Sequence, residues 1–206
     1  MQILITAGGT REYIDPVRFI SNASSGRMGY ALAGAAIKLG HKVTLISTSD
    51  LQPPVGIDFV GVDSAAEMFK AVKKYFPKCD CLLMAAAVAD YTPDRTAKAK
   101  IKKSGKHLTL KLKPTRDILQ WAGQHKKKNQ FVVGFSLDNK NLQSRAEKKM
   151  KQKKLDMIIA NTPAAIGAEK STVHIKTLNS PWLKIENAAK AAIAGKIIAL
   201  IEKISG

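Results

Sequence analysis

The 206-residue sequence predicts an α/β fold: a doubly wound, mostly parallel Rossmann-like sheet with helices on both faces and a projecting β-hairpin flap. Three observations carry this expectation. Short apolar runs alternate with stretches of helical spacing, the pattern of βαβ units. Runs such as Ile3-Leu4-Ile5 are continuously apolar, as strands covered on both faces are. The first run ends in Gly8-Gly9-Thr10, and a loop then leads to Ser24-Ser25-Gly26 at the start of a helix.

The first strand is Gln2–Ala7, and a helix over 30–39 ends at Gly40, a C-cap signal. Lys42–Ser47 is the second strand, Pro53-Pro54 mark a turn, and 58–62 is a short third strand. Met68, Phe69, Val72 and Phe76 give Ala65–Tyr75 helical spacing. The fourth strand covers 81–88 and runs into Ala89-Asp90. The order β-α-β-β-α-β implies right-handed crossovers. The pattern then breaks. Segments 98–103 and 107–113 flank Ser104-Gly105-Lys106, and Leu108, Leu110 and Leu112 alternate with polar residues. This predicts a hairpin flap at about 96–113. Next come a helix over 115–125 with Thr115 as N-cap, a strand over 131–135, a helix over 141–153 and a strand over 156–160. An edge strand over 172–177 and a terminal helix over 188–204 complete the reading, with Ile193, Ile197, Leu200 and Ile201 facing the core. No repeat or linker divides the chain, so 1–206 is one domain.

The net charge is +18, which points to nucleic acid, an anionic membrane or anionic substrates. Aromatic residues are only 6% and do not interleave with the basic runs, which disfavours base stacking and hence nucleic acid. No apolar run reaches membrane-spanning length, and no signal peptide is seen. Cys79 and Cys81 lie too close for an unstrained disulfide and are too few for a metal site. They read as free thiols in a reducing cytoplasm. Lys126, Lys127 and Lys128 read as a solvated helix end, and 148–154 as a basic outer face. Lys98, Lys100, Lys102 and Lys103 suit either a flap that offsets charge on a leaving pyrophosphate or a protected edge strand.

Ligands of open α/β sheets bind beyond the carboxyl ends of the strands. The turn 24–26 offers unpaired helix N–H groups and a close backbone approach to an anion; alternatively Ser24 caps a helix. At the end of the fourth strand Ala85, Ala86 and Ala87 leave room for a flat ligand. Asp90 beyond them suits a divalent cation or a ribose hydroxyl, or simply caps a turn. The G-x-G-x-x-G fingerprint is absent, and no acidic residue ends the second strand, so a redox NAD enzyme is disfavoured. No P-loop motif occurs, and the four histidines do not cluster.

Thr6 to Thr10, Asp15-Pro16-Val17-Arg18, Ile20-Ser21-Asn22, Ser24-Ser25-Gly26 and Met28-Gly29 together resemble the phosphopantothenate–cysteine ligase (phosphopantothenoylcysteine synthetase) family. The match continues through AAAVADY (85–91), KIKK (100–103), Arg116 to Leu119, VVGF (132–135) and IIAN (158–161). The resemblance implies an acid–amine ligase of coenzyme A biosynthesis that uses CTP, with Mg2+, to join 4′-phosphopantothenate to L-cysteine through an acyl cytidylate; the alternatives are an ATP-dependent version of the same reaction or a basic non-catalytic nucleotide- or nucleic-acid-binding protein. It implies catalytic roles for Asn22 and Lys100. It implies nucleotide contacts from Gly8, Gly9, Ser24, Ser25, Gly26, Met84, Ala85, Ala86, Asp90, Lys100, Arg116, Asp117, Ile118, Leu119, Phe135, Lys149 and Lys153. Substrate contacts fall to Asn22, Arg18 and Ala87, and the metal to Asp90. Also implied are a cytoplasmic homodimer and, because the sequence carries only the ligase region, a stand-alone bacterial form working beside a separate phosphopantothenoylcysteine decarboxylase. The stretch Ile166-Gly167-Ala168-Glu169-Lys170-Ser171 departs from the family's F-x-S-D-x-N-like pattern.

Overall fold

The computed structural model describes residues 1–105 and 107–205. The chain opens with β1 (Gln2–Ala7), a short antiparallel pair β2 (Arg11–Tyr13) and β3 (Phe19–Ser21), and α1 (Arg27–Lys38). It continues through β4 (Lys42–Ser47), β5 (Asp58–Gly61), α2 (Ala65–Tyr75) and β6 (Cys81–Met84). A second antiparallel pair, β7 (Tyr91–Pro93) and β8 (Leu112–Pro114), precedes α3 (Ile118–His125). The last third comprises β9 (Phe131–Leu137), α4 (Leu142–Gln152), β10 (Met157–Asn161), β11 (Lys170–Thr177), β12 (Leu183–Ala189) and α5 (Lys190–Ser205).

Among the described residues one eight-stranded sheet forms, in the order β12-β11-β10-β9-β6-β1-β4-β5. From β10 to β5 every pairing is parallel; β11 and β12 are antiparallel. Alternate residues of each strand face opposite ways, so continuous apolar runs feed two cores. Ile3, Ile5, Leu45, Leu83, Val133 and Ile159 pack under α1 and α5. Leu4, Ile46, Leu82, Val132 and Ile158 pack under α2, α3 and α4. In α5 the residues Ile193, Ile197, Ile198 and Ile201 are fully buried, each burial stabilising by about 1.5–3 kcal/mol.

The fold class is as expected; several details differ. The hairpin over 98–113 is replaced by an irregular segment between β7 and β8, and Lys106 of its expected turn lies outside the described residues. The reason is where the backbone groups go. Ala97 N–H donates to the Ile14 carbonyl at 3.0 Å, and Ile101 is held by Asp15 and Arg18. The first arm is therefore bonded to the 13–18 turn rather than to a second arm. The fourth strand stops at Met84, after which Ala87 N–H bonds Gly8 O at 2.8 Å. Helix α3 is capped by Asp117, which accepts from Gln120 N–H at 2.9 Å; Thr115 instead donates to the Ala89 carbonyl at 2.6 Å. The 172–177 strand is not an edge, because β12 covers it. Of β12 only Ile185 is fully buried, so its sequence lacks the apolar alternation that marks a strand. Lys126 and Lys127 are not merely solvated: Lys126 pairs with Asp156 at 2.5 Å, and Lys127 donates to the Pro77 carbonyl at 2.9 Å.

Candidate active site

The chain runs outward from β1 to β4 and β5, then returns to β6 on the other side of β1 and continues to β9 and β10. Strand order therefore reverses between β1 and β6, where open α/β sheets bind ligands. A cleft of about 800 Å³ lies along this carboxyl edge.

Its roof is the start of α1. Gly26 caps the helix in the left-handed conformation, φ 79°, and a Cβ there would meet the Ser49 Cβ at 2.9 Å, so only glycine fits without strain. Ser49 in turn donates to the Ser25 carbonyl at 2.9 Å and fixes the turn. No serine side chain caps α1, and Ser24 and Ser25 line the cleft. The first-turn N–H groups, which lack helical partners, and the positive end of the helix dipole favour an anion there.

The floor is 84–90. Thr6 and Thr10 hydroxyls accept from Ala86 N–H at 3.2 Å and Ala89 N–H at 2.9 Å, pinning the small residues to β1 and the turn that follows it. The Asn22 amide nitrogen donates to the carbonyls of Ala87 at 3.3 Å and Val88 at 3.1 Å, which fixes the amide against the floor. Asp90 is an exposed carboxylate at the end of this segment.

The basic wall comes from α3 and α4. Lys153 pairs with Asp117 at 2.6 Å, and Lys149 donates to the Phe135 carbonyl at 2.7 Å. Burial pulls the Lys149 ammonium below the ordinary lysine range, helped by the charge of Lys153, while Asp117 and Asp90 act the other way. Arg116 stacks over the Phe69 ring at 5.4 Å. Gly123 lies directly beneath the Lys153 carbonyl, where a Cβ would collide, so α3 and the end of α4 meet closely behind this wall.

Of the residues the sequence singled out, Asn22, Ser24, Ser25, Gly26, Met84, Ala85, Ala86, Ala87, Asp90, Arg116, Asp117, Ile118, Leu119, Phe135, Lys149 and Lys153 all line this one cleft. Gly8 and Gly9 do not; they sit behind it, where Gly8 accepts from Ala87 and packs on Gly26. Arg18 is committed elsewhere. Its guanidinium grips the buried Asp15 carboxylate at 2.5 and 2.9 Å and donates to the Ile101 carbonyl at 2.5 Å. Asp15 also accepts from Ile101 N–H at 3.1 Å. Burial opposes ionisation of Asp15, yet Arg18 and the backbone N–H groups of Val17, Ile101 and Arg18 hold its carboxyl well below the ordinary range. Lys100, next to this clamp, is exposed and outside the cleft. Ser136, Ile166, Gly167 and Ser171, from the strand ends and the loop beyond β10, also line the cleft, as do Arg27 and Lys190, which the sequence did not single out. Lys190 could not be found because β12, which delivers it, lacked a strand signal.

Both cysteines are buried free thiols, and burial pushes Cys79 up to about 12 and Cys81 higher still. Neither is a reactive thiolate at neutral pH. Among the described residues no three His, Cys, Asp or Glu side chains group to hold a metal, and no helix is long and apolar enough to cross a membrane.

Residues 1–204 match the family described as "DNA/pantothenate metabolism flavoprotein C-terminal domain". A coenzyme A biosynthesis bifunctional protein CoaBC of Bacillus subtilis (strain 168) is 48% identical over 168 residues, 81% of this chain and 41% of that protein. A "Cysteine/Cysteine sulfinic acid decarboxylase" from an unknown prokaryotic organism is 43% identical over 203 residues, 96% of this chain and 56% of that protein. The chain thus spans about half the length of these curated relatives. The crystal structure of the C-terminal domain of a CoaBC protein superposes with a TM-score of 0.86 at 35% identity, covering 98% of this chain and 94% of that one. The chain belongs to the DNA/pantothenate metabolism flavoprotein C-terminal domain family.

Proposed function

We propose that the protein is a phosphopantothenate–cysteine ligase that activates its acid with CTP. In this reading the carboxylate of 4′-phosphopantothenate attacks the α-phosphorus of CTP, forming the acyl cytidylate and expelling pyrophosphate. The amine of L-cysteine then attacks the acyl carbon, and CMP leaves with the electrons of the acyl–phosphate bond. The observation that carries the proposal is the single cleft that joins the α1 N-terminus, the Asn22 amide and the Arg116, Lys149 and Lys153 wall. It offers an anion site, a neutral positioning group and cations for a polyphosphate within one groove. Mg2+ fits as a partner of the nucleotide, since one carboxylate plus phosphate oxygens and water is its usual shell, and Asp90 is that carboxylate. When bound it would neutralise phosphate charge.

The test is pyrophosphate release, run with CTP and ATP side by side. Release that requires 4′-phosphopantothenate and prefers CTP supports the proposal. Release without the acid, or retention of DNA with no nucleotide turnover, contradicts it.

Within this reading the two i, i+4 lysines of α4 should hold the triphosphate. Lys149→Gln and Lys153→Gln should each weaken CTP binding by about tenfold or more. Lys151→Gln, on an exposed position of the same helix, should change it little. Equal effects at all three would mean that only the general positive field matters. The pH dependence follows in sign. Because Lys149 loses its proton below the ordinary lysine range, CTP affinity should begin to fall at lower pH than an exposed lysine would dictate. Asp117→Asn removes an effect that raises the Lys149 pKa, so the fall should start lower still.

Assembly is part of the same reading. Leu108, Leu110 and Leu112 are exposed, as are Val17 on the turn that anchors the flap and Phe19 and Ile20 of the adjoining β3. We take a second copy of the chain as their cover, and sedimentation at micromolar concentration should find a dimer. A monomer there overturns the assignment. The CoaBC relatives are longer proteins, which also supports coupling to a decarboxylase.

A further inference from the structure

A second cavity, of about 270 Å³, lies where the antiparallel strands join the sheet. It is on the α4 face. Leu142, which opens α4, and His174 of β11 line it, and the Gln143 side chain meets His174. A β-bulge shapes its wall. The register of β11 on β12 slips by one residue between Ser171 and Val173, so Thr172 faces both Glu186 and Asn187. Asn187 takes a positive φ of 41°, and its N–H donates to the Thr172 hydroxyl at 3.1 Å. Bulges re-aim side chains, and here Lys170, Thr172, His174 and Asn187 all line one cavity.

Each of these four side chains can donate. The Gln143 amide nitrogen lies 3.3 Å from His174 Nδ1. An amide nitrogen only donates, so Nδ1 accepts and the neutral ring carries its proton on Nε2. The Thr172 hydroxyl accepts from Asn187 and keeps its own proton to give. Lys170 adds a cation. Among the described residues no carboxylate lines the cavity; Glu186 pairs with Lys184, and Glu147 accepts from the Trp182 indole N–H at 2.9 Å. An ammonium, an imidazole, a hydroxyl and an amide around one space are the recognition chemistry of an oxyanion. The volume is below the roughly 300–1,000 Å³ of sites for drug-sized ligands, so a nucleotide is too large.

We propose that this cavity is an effector site for a small oxyanion, of the size of phosphate or a short carboxylate, coupled to the cleft. Ala165 and Ser171 line both the cavity and the cleft, so the two sites share a wall. A ligand that fixes this wall from one side spares the other ligand part of the ordering cost, and such coupling is reciprocal. The proposal does not depend on which reaction the cleft performs.

Proton NMR of the imidazoles tests it, with inorganic phosphate as the probe at fixed pH and ionic strength. The chain has four histidines, and His174→Gln assigns the reporter. The His174 resonance should move and saturate, with a midpoint of about 1 mM or below. Acetate replaces phosphate in a second titration; a response as strong assigns the site to carboxylates, a weaker one to phosphates, and either supports it. Lys170→Gln should weaken phosphate about tenfold, and Lys170→Arg should keep it. Lys128→Gln, at an exposed position outside the cavity, controls for net charge. A response that never saturates overturns the site. So does one that Lys149→Gln removes and Lys170→Gln leaves, which would put the ion in the cleft. CTP binding with and without phosphate then reads the coupling. Phosphate competing inside the cleft weakens CTP equally in wild type and Lys170→Gln. Beyond that common effect, phosphate should make CTP bind a few-fold tighter to the wild type, and no difference between the two proteins overturns the coupling. Failure of CTP to bind at all would overturn the ligase reading and leave the NMR result standing.

Discussion

Replacing Asn22 with aspartate should reduce amide formation by about a thousandfold or more, although the side chain keeps its size. The Asn22 amide nitrogen donates to the Ala87 and Val88 carbonyls, and a carboxylate has no proton to donate. Its oxygens would face those carbonyl oxygens, and its charge would lie beside the phosphates that the α1 N-terminus attracts. Loss of the contact that holds the amide in place misplaces the reacting groups, which costs about a hundredfold, and charge repulsion adds to it. Asn22→Ala removes the contact without adding charge and should be the milder lesion. The measurement is kcat for the complete reaction beside CTP binding to the free enzyme. An Asn22→Asp enzyme within tenfold of wild type would show that the amide does not touch the reacting groups.

Lys100→Gln should slow formation of the acyl cytidylate by about a hundredfold or more, the scale for one electrostatic donor in an excluded site. Lys100 is exposed on the irregular segment between β7 and β8, so its role requires the segment to close over the cleft. What aims it is the neighbouring residue. Asp15 accepts the Ile101 N–H and Arg18 donates to the Ile101 carbonyl, so one ion pair grips both sides of a single residue. Asp15→Asn should therefore slow the same step with Lys100 in place. The Asp15 carboxyl sits below its ordinary value of 3.8, so its contribution to stability is complete at neutral pH and is lost only as pH falls below that value. Single-turnover reactions with CTP and 4′-phosphopantothenate resolve the step. If Lys100→Gln forms the intermediate at the wild-type rate and fails only once cysteine is added, the lysine serves the second step.

The sheet was legible because its strands are buried on both faces and therefore continuously apolar; Ile3 to Ile5, Leu82-Leu83 and Ile158-Ile159 announce themselves. The cleft was legible for a related reason, since the helix start at Gly26 and the small residues 85–87 sit at strand and helix ends that topology brings together; Lys149 and Lys153 read alone as a basic outer face and entered only through the family resemblance. Two things were not. Residues 98–103 have the composition of a hairpin arm, but the backbone groups of Ile101 are taken by Asp15 and Arg18 and the N–H of Ala97 by Ile14, long-range partners that no local pattern reveals. Strand β12 buries only Ile185, and Asn187 adopts a positive φ of 41°, so neither alternation nor propensity marks it. With β12 unread, Lys190 and its corner of the cleft stayed hidden.

The central claim is that acid activation and amide formation are successive steps in one cleft, linked by an acyl cytidylate. A rapid-quench experiment with stoichiometric enzyme, CTP and 4′-phosphopantothenate tests it most directly. Without cysteine, pyrophosphate should appear in one burst equal to the enzyme, with the cytidine monophosphate still joined to the acid. Adding cysteine should then release CMP in equal amount to the amide. A burst of CDP and inorganic phosphate, or CMP released at the same rate with and without cysteine, would contradict the account.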